Sequence, residues 1–236
     1  MQLPTHLPQN NLISLIDVTM QYDSRIVLNH VNLDIDEGDF VAITGPNGGG
    51  KTTLLKIILQ LIKPTFGKVV FKQDNHIVKS LKLGYLPQKN MIDSRFPISV
   101  TEVITSGLLG SQQLFHRISD DENKKVAHIM ELMGVDKLKN EPIGNLSGGQ
   151  LQRTLLGRAI ISAPHVLILD EPLSYVDKHF EQQMYSIIAD IAKSTTVILV
   201  SHEMTTIAQM ANRHVIVDRE VHSCHAEHHY VKTDCE

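Results

Sequence analysis

The sequence has 236 residues, of which 42% are hydrophobic and 20% charged, so it predicts a packed globular domain and excludes a disordered chain. Its formal net charge of −4 argues against a protein that coats nucleic acid. No apolar run approaches the roughly 18–20 residues needed to cross a bilayer, the N-terminus lacks a secretory pattern, and only 2 cysteines occur. We therefore predict a soluble, cytoplasmic protein for which any membrane role requires a partner that supplies the spans.

The first part of the chain is predicted to form strands followed by a helix. Residues Leu12–Met20 and Ile26–Ile35 alternate loosely between apolar and polar, which indicates half-buried antiparallel strands. The short apolar run Phe40–Thr44 indicates a strand buried on both faces. Apolar residues at helical spacing then predict a helix over Lys51–Ile62, which Pro64 would end.

The residue pattern changes near Lys89, and the new pattern predicts a mostly helical insertion that extends to about Glu141. Within it, Ser119–Glu122 has a capping-box pattern that would begin a helix, and Gly134 can end it. Strands that alternate with helices indicate an α/β fold with a parallel core. The other predicted elements are the strands Val69–Phe71, Lys82–Leu86, Val166–Asp170 and Thr196–Ser201 and the helices Gln150–Ile161 and about Phe180–Ile191.

A glycine-rich loop joins the predicted strand that ends at Thr44 to the predicted helix that begins at Lys51. The loop reads Gly45-Pro46-Asn47-Gly48-Gly49-Gly50-Lys51-Thr52 and fits the pattern G-x-x-x-x-G-K-[ST]. Glycines allow successive backbone N–H groups to surround phosphate oxygens, and the helix N-terminus favours the same anion. In such loops the lysine reaches the β- and γ-phosphates and the Thr hydroxyl can ligate Mg²⁺. The alternative is a simple glycine turn, but the strand and helix on either side favour nucleotide binding.

Two acidic residues end the predicted strand Val166–Asp170. Asp170 can hold Mg²⁺ directly or through water, and Glu171 can aim its carboxylate at an attacking water as a general base. Taken alone, an Asp-Glu pair after a strand is a common surface turn. Together with the glycine loop, it predicts ATP hydrolysis.

The segment Leu146-Ser147-Gly148-Gly149-Gln150 is the most discriminating motif. Ser147 is predicted to cap a helix, and the two glycines leave backbone N–H groups available at its positive end, which suits an anion. An ordinary glycine-rich helix start is the alternative. The motif resembles the L-S-G-G-Q signature of ABC-transporter ATPases, and the resemblance extends from Leu12 to about Val217.

This resemblance implies an α/β P-loop NTPase fold of the RecA-like type, with an antiparallel β subdomain and an inserted helical subdomain. The chain would form one ABC ATPase domain over 1–236. Its parts would be an ATPase core with the β subdomain (about 12–88 and 163–217), a helical subdomain (89–162) and a C-terminal tail (218–236). The family works as a head-to-tail dimer in which ATP lies between the glycine loop of one subunit and the signature of the other.

The resemblance also implies roles for individual residues. Catalysis would involve Glu171, Gln88 and His202, the last as the switch histidine that contacts the γ-phosphate. Without the resemblance, Gln88 would be unremarkable and His202 structural. Mg²⁺ would be held by Thr52, Gln88 and Asp170. The implied nucleotide contacts are Tyr22, Gly45, Asn47, Gly48, Gly49, Gly50, Lys51, Thr52, Thr53, Ser147, Gly148, Gly149, Gln150 and Asp177.

Two of these implied contacts have specific functions in the family. Tyr22 matches the aromatic residue that stacks on adenine, although a Tyr in a turn more often only packs. Asp177 belongs to the loop that communicates across the dimer. That loop, 174–177, reads S-Y-V-D where the family usually has S-A-L-D, and Gly49 and Thr52 replace the more frequent alanine and serine.

The transported substrate is indicated by the segment that follows Gln88, where the family docks its membrane subunits. It contains a Phe-Pro-x-x-Val pattern from Phe96 to Val100 and then Gly107, which is similar to zinc- and manganese-type uptake ATPases. The pattern is also close to that of siderophore and cobalamin importers. The resemblance implies polytopic permease subunits at the cytoplasmic face of the membrane, a second ATPase subunit and a substrate-binding protein, with no nucleic acid. A non-transport ATPase of the iron–sulfur assembly type is a further alternative.

The C-terminal tail is rich in metal-ligating residues. Imidazole and thiolate groups at such spacing can bind Zn²⁺, although a polar tail after a small hairpin is the simpler interpretation. Metal regulation through the tail is therefore a hypothesis. The residues concerned are His222, Cys224, His225, His228, His229 and Cys235.

Overall fold

A computed structural model describes residues 10–88, 97–109, 118–173, 178–201 and 210–225, with backbone alone for 178–180 and 225. The described parts form two compact units, one within Met1–Leu81 and Thr196–Glu236 and the other within Lys82–Thr195. The strands are β1 (Asn11–Tyr22), β2 (Arg25–Asp36), β3 (Phe40–Thr44), β4 (Phe66–Gln73), β5 (His76–Val78), β6 (Leu83–Leu86), β7 (Val166–Asp170), β8 (Thr196–Val200), β9 (Arg213–Asp218) and β10 (Glu220–His225). The α-helices are α1 (Lys51–Ile58), α2 (Val100–Ser106), α3 (Asp120–Leu132), α4 (Gly148–Ile160) and α5 (Lys178–Ala192).

The first unit contains an antiparallel sheet in the order β2-β1-β4-β5. The predicted strands at Leu12–Met20 and Ile26–Ile35 are confirmed as β1 and β2, which pair antiparallel. The apolar residues on one face of this sheet, such as Ile13, Leu15 and Phe71, are buried, as the alternating pattern requires.

The same unit contains a second set of paired strands, built around β3. This strand pairs in parallel with β8 and with β9, and β10 returns antiparallel along β9. The strand predicted at Phe40–Thr44 coincides with β3, and its Val41, Ala42 and Ile43 are buried. A buried ion pair between Arg213 at the start of β9 and Asp39 before β3, at 2.7 Å, joins the two strand starts.

The helix after the glycine loop is shorter than predicted. It ends at Ile58, and the prediction that it continues to Ile62 and stops at Pro64 is wrong. Gln60 adopts a left-handed backbone with φ 58°, and the N–H groups of Gln60 and Leu61 donate to the carbonyls of Ile57 and Lys56. These two bonds form a Schellman motif, which ends a helix without proline. Leu61 is accordingly 65% exposed and takes no part in the helix's buried face.

The second unit contains the parallel strand pair β6 and β7 together with helices α2 to α5. The strand predicted at Val166–Asp170 coincides with β7, and all five of its residues are buried. The predicted helical insertion is confirmed by α2 and α3, and α2 packs against α4. No helix in the described parts of the chain combines the length and apolar character that crossing a bilayer requires.

Capping boxes begin three helices of this unit. Ser99, Ser119 and Ser147 each accept a hydrogen bond from the backbone N–H three residues later. In each box the third residue, Glu102, Glu122 or Gln150, accepts a bond from the cap's own N–H. The box predicted at Ser119 is confirmed, and Gly134, with φ 61°, lies just beyond the end of α3 as expected.

Candidate nucleotide site

The glycine loop adopts the backbone conformation that its glycines were predicted to allow. Gly45, Gly48 and Gly50 have φ values of 138°, 79° and 105°, which side chains with a Cβ rarely adopt. The loop lies between β3 and α1, as the sequence pattern requires.

The turn between β9 and β10 lies against the glycine loop and contacts it through backbone groups. A Cβ at Gly45 or at Gly49 would lie 2.1 Å or 2.5 Å from the carbonyl oxygen of Val217 in β9, so both positions accept only glycine without movement. The N–H of Arg219, between β9 and β10, donates to the Gly49 carbonyl at 2.8 Å, and Asn29 N–H donates to the Arg219 carbonyl at 2.7 Å. The loop is therefore fixed by a backbone network that connects it to β2 and to the β9–β10 hairpin.

Lys51 begins α1 and is 7% exposed. Its Nζ donates to the carbonyl oxygens of Gly45 and Pro46 at 2.8 Å and 2.9 Å, across the mouth of the loop. The ammonium group is thus held at the loop, where it can exchange carbonyl partners for phosphate oxygens.

The start of α1 fits an anion. Its N-cap residue, Gly50, supplies no side-chain hydrogen bond, and the first turn of the helix contains no acidic residue. The first N–H groups of a helix have no intrahelical partners, and the dipole makes this end positive. Thr52 in this turn is exposed, so its hydroxyl is accessible for the predicted contact with Mg²⁺.

Tyr22 lies at the end of β1 and is 46% exposed. It pairs across the strand ladder with Arg25, so the two side chains lie on the same face of the β1–β2 hairpin. An exposed ring of this kind is accessible for stacking.

In the second unit, Asp170 ends β7 and is 3% exposed. The hydroxyl of Tyr85 in β6 donates to Asp170 Oδ2 at 3.5 Å. Burial, together with the negative charge and hydrogen bonding of Asp170, raises the pKa of Tyr85 to about 12. Tyr85 is therefore a neutral donor to the carboxylate at physiological pH.

Glu171 has an unusual backbone conformation. Its φ is 48°, in the left-handed region that is unfavourable for residues with a Cβ. The side-chain amide of Gln88 donates to Glu171 Oε2 at 2.8 Å. Two of the residues predicted to be catalytic are therefore in direct contact.

The signature segment is positioned at the beginning of α4. Ser147 is the N-cap, as predicted, and Gly148 and Gly149 are the first two residues of the helix. The side chain of Gln150 accepts a bond from the Ser147 N–H at 2.9 Å, so this glutamine also helps to cap the helix.

Several predicted residues lie outside the described parts of the chain. These are His202, Asp177, Phe96 and the tail residues His228, His229 and Cys235. His222 and Cys224 lie on β10, and the thiol of Cys224 is exposed. Among the residues that the structure describes, no three His, Cys, Asp or Glu side chains are arranged so that they could hold a metal ion.

The structure also reveals polar contacts that were not predicted from the sequence. The β9–β10 turn supports the glycine loop through backbone groups, which leave no sequence signal. Tyr85 in β6 donates to Asp170 in the neighbouring strand β7. Gln152 donates to the carbonyl of Pro172 at 2.6 Å. In the sequence, Tyr85 is three residues before Gln88 and Gln152 is two residues after the signature segment. This closeness to recognised motifs is the one signal that could have indicated their roles.

The glycine loop between β3 and α1, with the helix start that follows it, has the form of a P-loop. A family model described as ABC transporter matches residues 28–174. Because this match covers more than half of the 236 residues, the chain belongs to the ABC transporter family. It is an ATP-binding, ATP-hydrolysing subunit of that type.

The relatives that it resembles include metal-uptake ATPases. The high-affinity zinc uptake system ATP-binding protein ZnuC of Bacillus subtilis is 35% identical over 212 residues, covering 89% of this chain and 92% of that protein. The zinc import ATP-binding protein ZnuC of Hydrogenovibrio crunogenus is 35% identical over 205 residues, covering 86% of this chain and 77% of that protein. The predicted similarity to metal-uptake ATPases is therefore confirmed.

Solved structures confirm the predicted fold class. A dimeric ATP-binding cassette in a post-hydrolysis state, bound to ADP and Pi, has a TM-score of 0.78 and 26% identity, covering 92% of this chain and 100% of that chain. An inward-facing metal-chelate type ABC transporter has a TM-score of 0.79 and 24% identity, covering 92% of this chain and 84% of that chain. At 24% identity, the similarity to the second structure shows a shared fold only.

Proposed function

We propose that this chain is the ATP-driven motor of an importer for a divalent metal ion, with zinc as the first choice and manganese as the second. The observation that carries the proposal is the similarity to zinc uptake ATPases over 89% of the chain, accompanied by the glycine loop and the signature segment. The Phe-Pro-x-x-Val pattern after Gln88 supports the same substrate class.

Nucleotide binding begins at the glycine loop. The backbone N–H groups of the loop and of the first turn of α1 surround the phosphates. Lys51 exchanges its bonds to the Gly45 and Pro46 carbonyls for bonds to the β- and γ-phosphates, and Tyr22 stacks on the adenine. This exchange favours the complex with ATP, because a hydrogen bond from the Lys51 ammonium group to a charged phosphate oxygen is stronger than one to a neutral carbonyl oxygen.

Thr52, Gln88 and Asp170 are the residues that would hold Mg²⁺. Their hydroxyl, amide and carboxylate oxygens are the hard ligands that this ion prefers. When bound, Mg²⁺ neutralises charge that develops on the phosphates. Tyr85 supports this role because its hydroxyl, neutral at physiological pH, donates to Asp170 Oδ2 and thereby holds the carboxylate in place.

Hydrolysis requires a base beside the γ-phosphate, and we assign that role to Glu171. Its carboxylate orients the attacking water and accepts a proton from it, while His202 contacts the γ-phosphate. Gln88 already donates to Glu171 Oε2, so it can hold the carboxylate until water takes over this position. A general base of this kind contributes typically about 10²–10⁴ in rate.

The complete site belongs to a head-to-tail dimer. Ser147, Gly148, Gly149 and Gln150 of one subunit bind the ATP that is held by the glycine loop of the other. The capped, glycine-rich start of α4 supports this role because it presents N–H groups at the positive end of a helix. Asp177 connects the two sites of the dimer.

The transport role requires partners that cross the membrane. We propose that the chain binds polytopic permease subunits at the cytoplasmic face of the membrane and that a substrate-binding protein delivers the metal. Purification of the tagged chain from gently solubilised membranes tests this, since a polytopic permease should accompany it. Recovery of iron–sulfur assembly proteins without a permease would favour the non-transport alternative.

The substrate is tested by metal accumulation in cells that lack the subunit. Restoring the wild-type chain should restore zinc or manganese content under metal limitation, whereas Glu171→Gln should not. Uptake of a ferric siderophore or of cobalamin, measured in the same strains, separates the competing importers. Restored chelate uptake with unchanged zinc and manganese would contradict the proposed substrate class.

A further inference from the structure

Gln152 is a buried glutamine in the second turn of α4. It is 3% exposed, although glutamine side chains mostly lie at the surface. Its side-chain amide donates to the backbone carbonyl of Pro172 at 2.6 Å. Burying an amide is unfavourable unless it is hydrogen-bonded, so this short bond is what makes the position acceptable for glutamine.

The carbonyl that Gln152 binds belongs to the turn that carries the proposed general base. Pro172 follows Glu171, whose left-handed φ of 48° is unfavourable for a residue with a Cβ. Such a conformation persists only where its surroundings hold it. Two amides do so here: Gln88 bonds to the Glu171 carboxylate at 2.8 Å, and Gln152 bonds to the carbonyl of the next residue.

The helix that carries Gln152 begins with the signature segment. Ser147 is its N-cap, and Gln152 lies five residues further along, which corresponds to about 7.5 Å of helix axis. The capping box of Ser147 and Gln150 fixes the first turn of the same helix. A displacement of the signature segment would therefore move helix α4, and the hydrogen bond from Gln152 would transmit this movement to Pro172.

We infer that Gln152 is a positioning residue for hydrolysis: it holds the Glu171–Pro172 turn and connects the signature helix to the general base. The inference rests on the proposed role of Glu171. Gln152 itself is assigned no contact with nucleotide or water. Its effect is on the orientation of the Glu171 carboxylate.

The test compares Gln152→Met with wild type in the full-length chain. Methionine has nearly the same length and volume but cannot donate, so packing is preserved and the bond to Pro172 is lost. Gln182→Met makes the same chemical change at an exposed position of α5 and is the matched control. A displaced catalytic group can cost about 10²-fold in rate, so we expect kcat to fall about 10–100-fold in Gln152→Met and to stay at the wild-type value in Gln182→Met.

Four further readouts separate positioning from a merely structural role. ATP affinity and the melting temperature of Gln152→Met should remain close to wild type while kcat falls. In single-turnover measurements, Gln152→Met should add little loss to a Glu171→Gln background, because both changes act on the same base. Gln152→Glu retains the size of the side chain, and its activity relative to wild type should increase as the pH is lowered, since a protonated carboxyl can donate to the Pro172 carbonyl.

An unchanged kcat in Gln152→Met would overturn the inference. A parallel loss of kcat, ATP affinity and melting temperature in both Gln152→Met and Gln152→Glu would also overturn it. Full additivity with Glu171→Gln would also overturn it. An absence of ATP hydrolysis by the wild-type chain would instead count against the proposed function. The two failures are therefore distinguishable.

Discussion

Gln88 and Glu171, 83 positions apart in the sequence, are joined by a hydrogen bond of 2.8 Å from the side-chain amide to the carboxylate. Gln88 follows β6 and Glu171 follows β7, and these two strands pair in parallel. Because parallel strands end at the same edge of a sheet, the motif residues that follow them are brought together. The carboxylate proposed as the general base is therefore held by the glutamine that is proposed to help hold Mg²⁺.

Removing that amide should impair hydrolysis without preventing nucleotide binding. In Gln88→Ala we expect kcat to fall by about 10–100-fold, since the base loses a partner that orients it, with ATP affinity within a few-fold of wild type. Steady-state hydrolysis and equilibrium binding of ATP check the two quantities separately. Gln182→Ala on the exposed face of α5 is the control. A Gln88→Ala protein with wild-type kcat would contradict the assigned role.

Alanine at Gly49 should be harmful in this chain, although alanine is more frequent in the family at this position. A Cβ there would lie 2.5 Å from the Val217 carbonyl oxygen and 3.0 Å from that of Pro46, so the loop or the hairpin must move. We expect a loss of about 1–3 kcal/mol in stability and weaker ATP binding. Calorimetric unfolding and ATP titration measure these effects.

The matched control for that substitution is Gly38→Ala. Gly38 has a φ of 80°, and no atom lies within 4 Å of the place that a Cβ would occupy, so alanine there meets backbone strain but no steric conflict. It should lose about 1 kcal/mol of stability and keep wild-type ATP affinity. If Gly49→Ala behaves in the same way as Gly38→Ala, the proposed support of the loop by Val217 is incorrect.

Alkaline pH should destabilise the protein through Tyr85. Its pKa in the folded state is about 12, above the ordinary value of 10, because burial and Asp170 disfavour the phenolate. The corresponding contribution to stability is complete below pH 10 and is lost as pH rises toward 12. Tyr85→Phe should therefore lose less stability than wild type over this interval, as urea unfolding would reveal. Parallel stability curves for the two proteins would contradict the assignment.

Acidic pH should loosen the start of α2. The pKa of Glu102 is lowered because the Ser99 hydroxyl and backbone N–H donate to its carboxylate. A lowered pKa contributes stability above the ordinary value of 4.5, and this contribution is lost as pH falls through the folded value. Glu102→Gln keeps a capping side chain but does not titrate, so its stability, measured by urea unfolding across the acidic range, should fall less steeply. Ser99→Ala should cost about 1 kcal/mol at neutral pH.

The features that the sequence predicted well are those with a local physical signal. Strands β3 and β7 are continuous apolar runs bounded by polar residues, and their predicted limits coincide with those observed. The cap at Ser147 also has a local signal, because the side chain and its partner N–H are only three residues apart.

The features that the sequence failed to predict depend on distant partners or on backbone conformation. The end of α1 is set by a left-handed Gln60, a residue type that carries no such signal. Gln152 would ordinarily be placed at the surface, and its burial depends on a carbonyl 20 residues away. The contact of Val217 with the glycine loop joins segments far apart in the chain and involves backbone atoms of Val217.

The central claim is that ATP hydrolysis by this chain drives metal across a membrane. The most direct measurement is zinc transport into proteoliposomes that contain the chain with its co-purified permease, supplied with the metal-loaded binding protein and ATP. We predict ATP-dependent zinc accumulation with the wild-type chain and none with Glu171→Gln at equal ATP occupancy. Equal zinc accumulation by the two proteins, or hydrolysis by the wild-type assembly without movement of zinc or manganese, would contradict this claim.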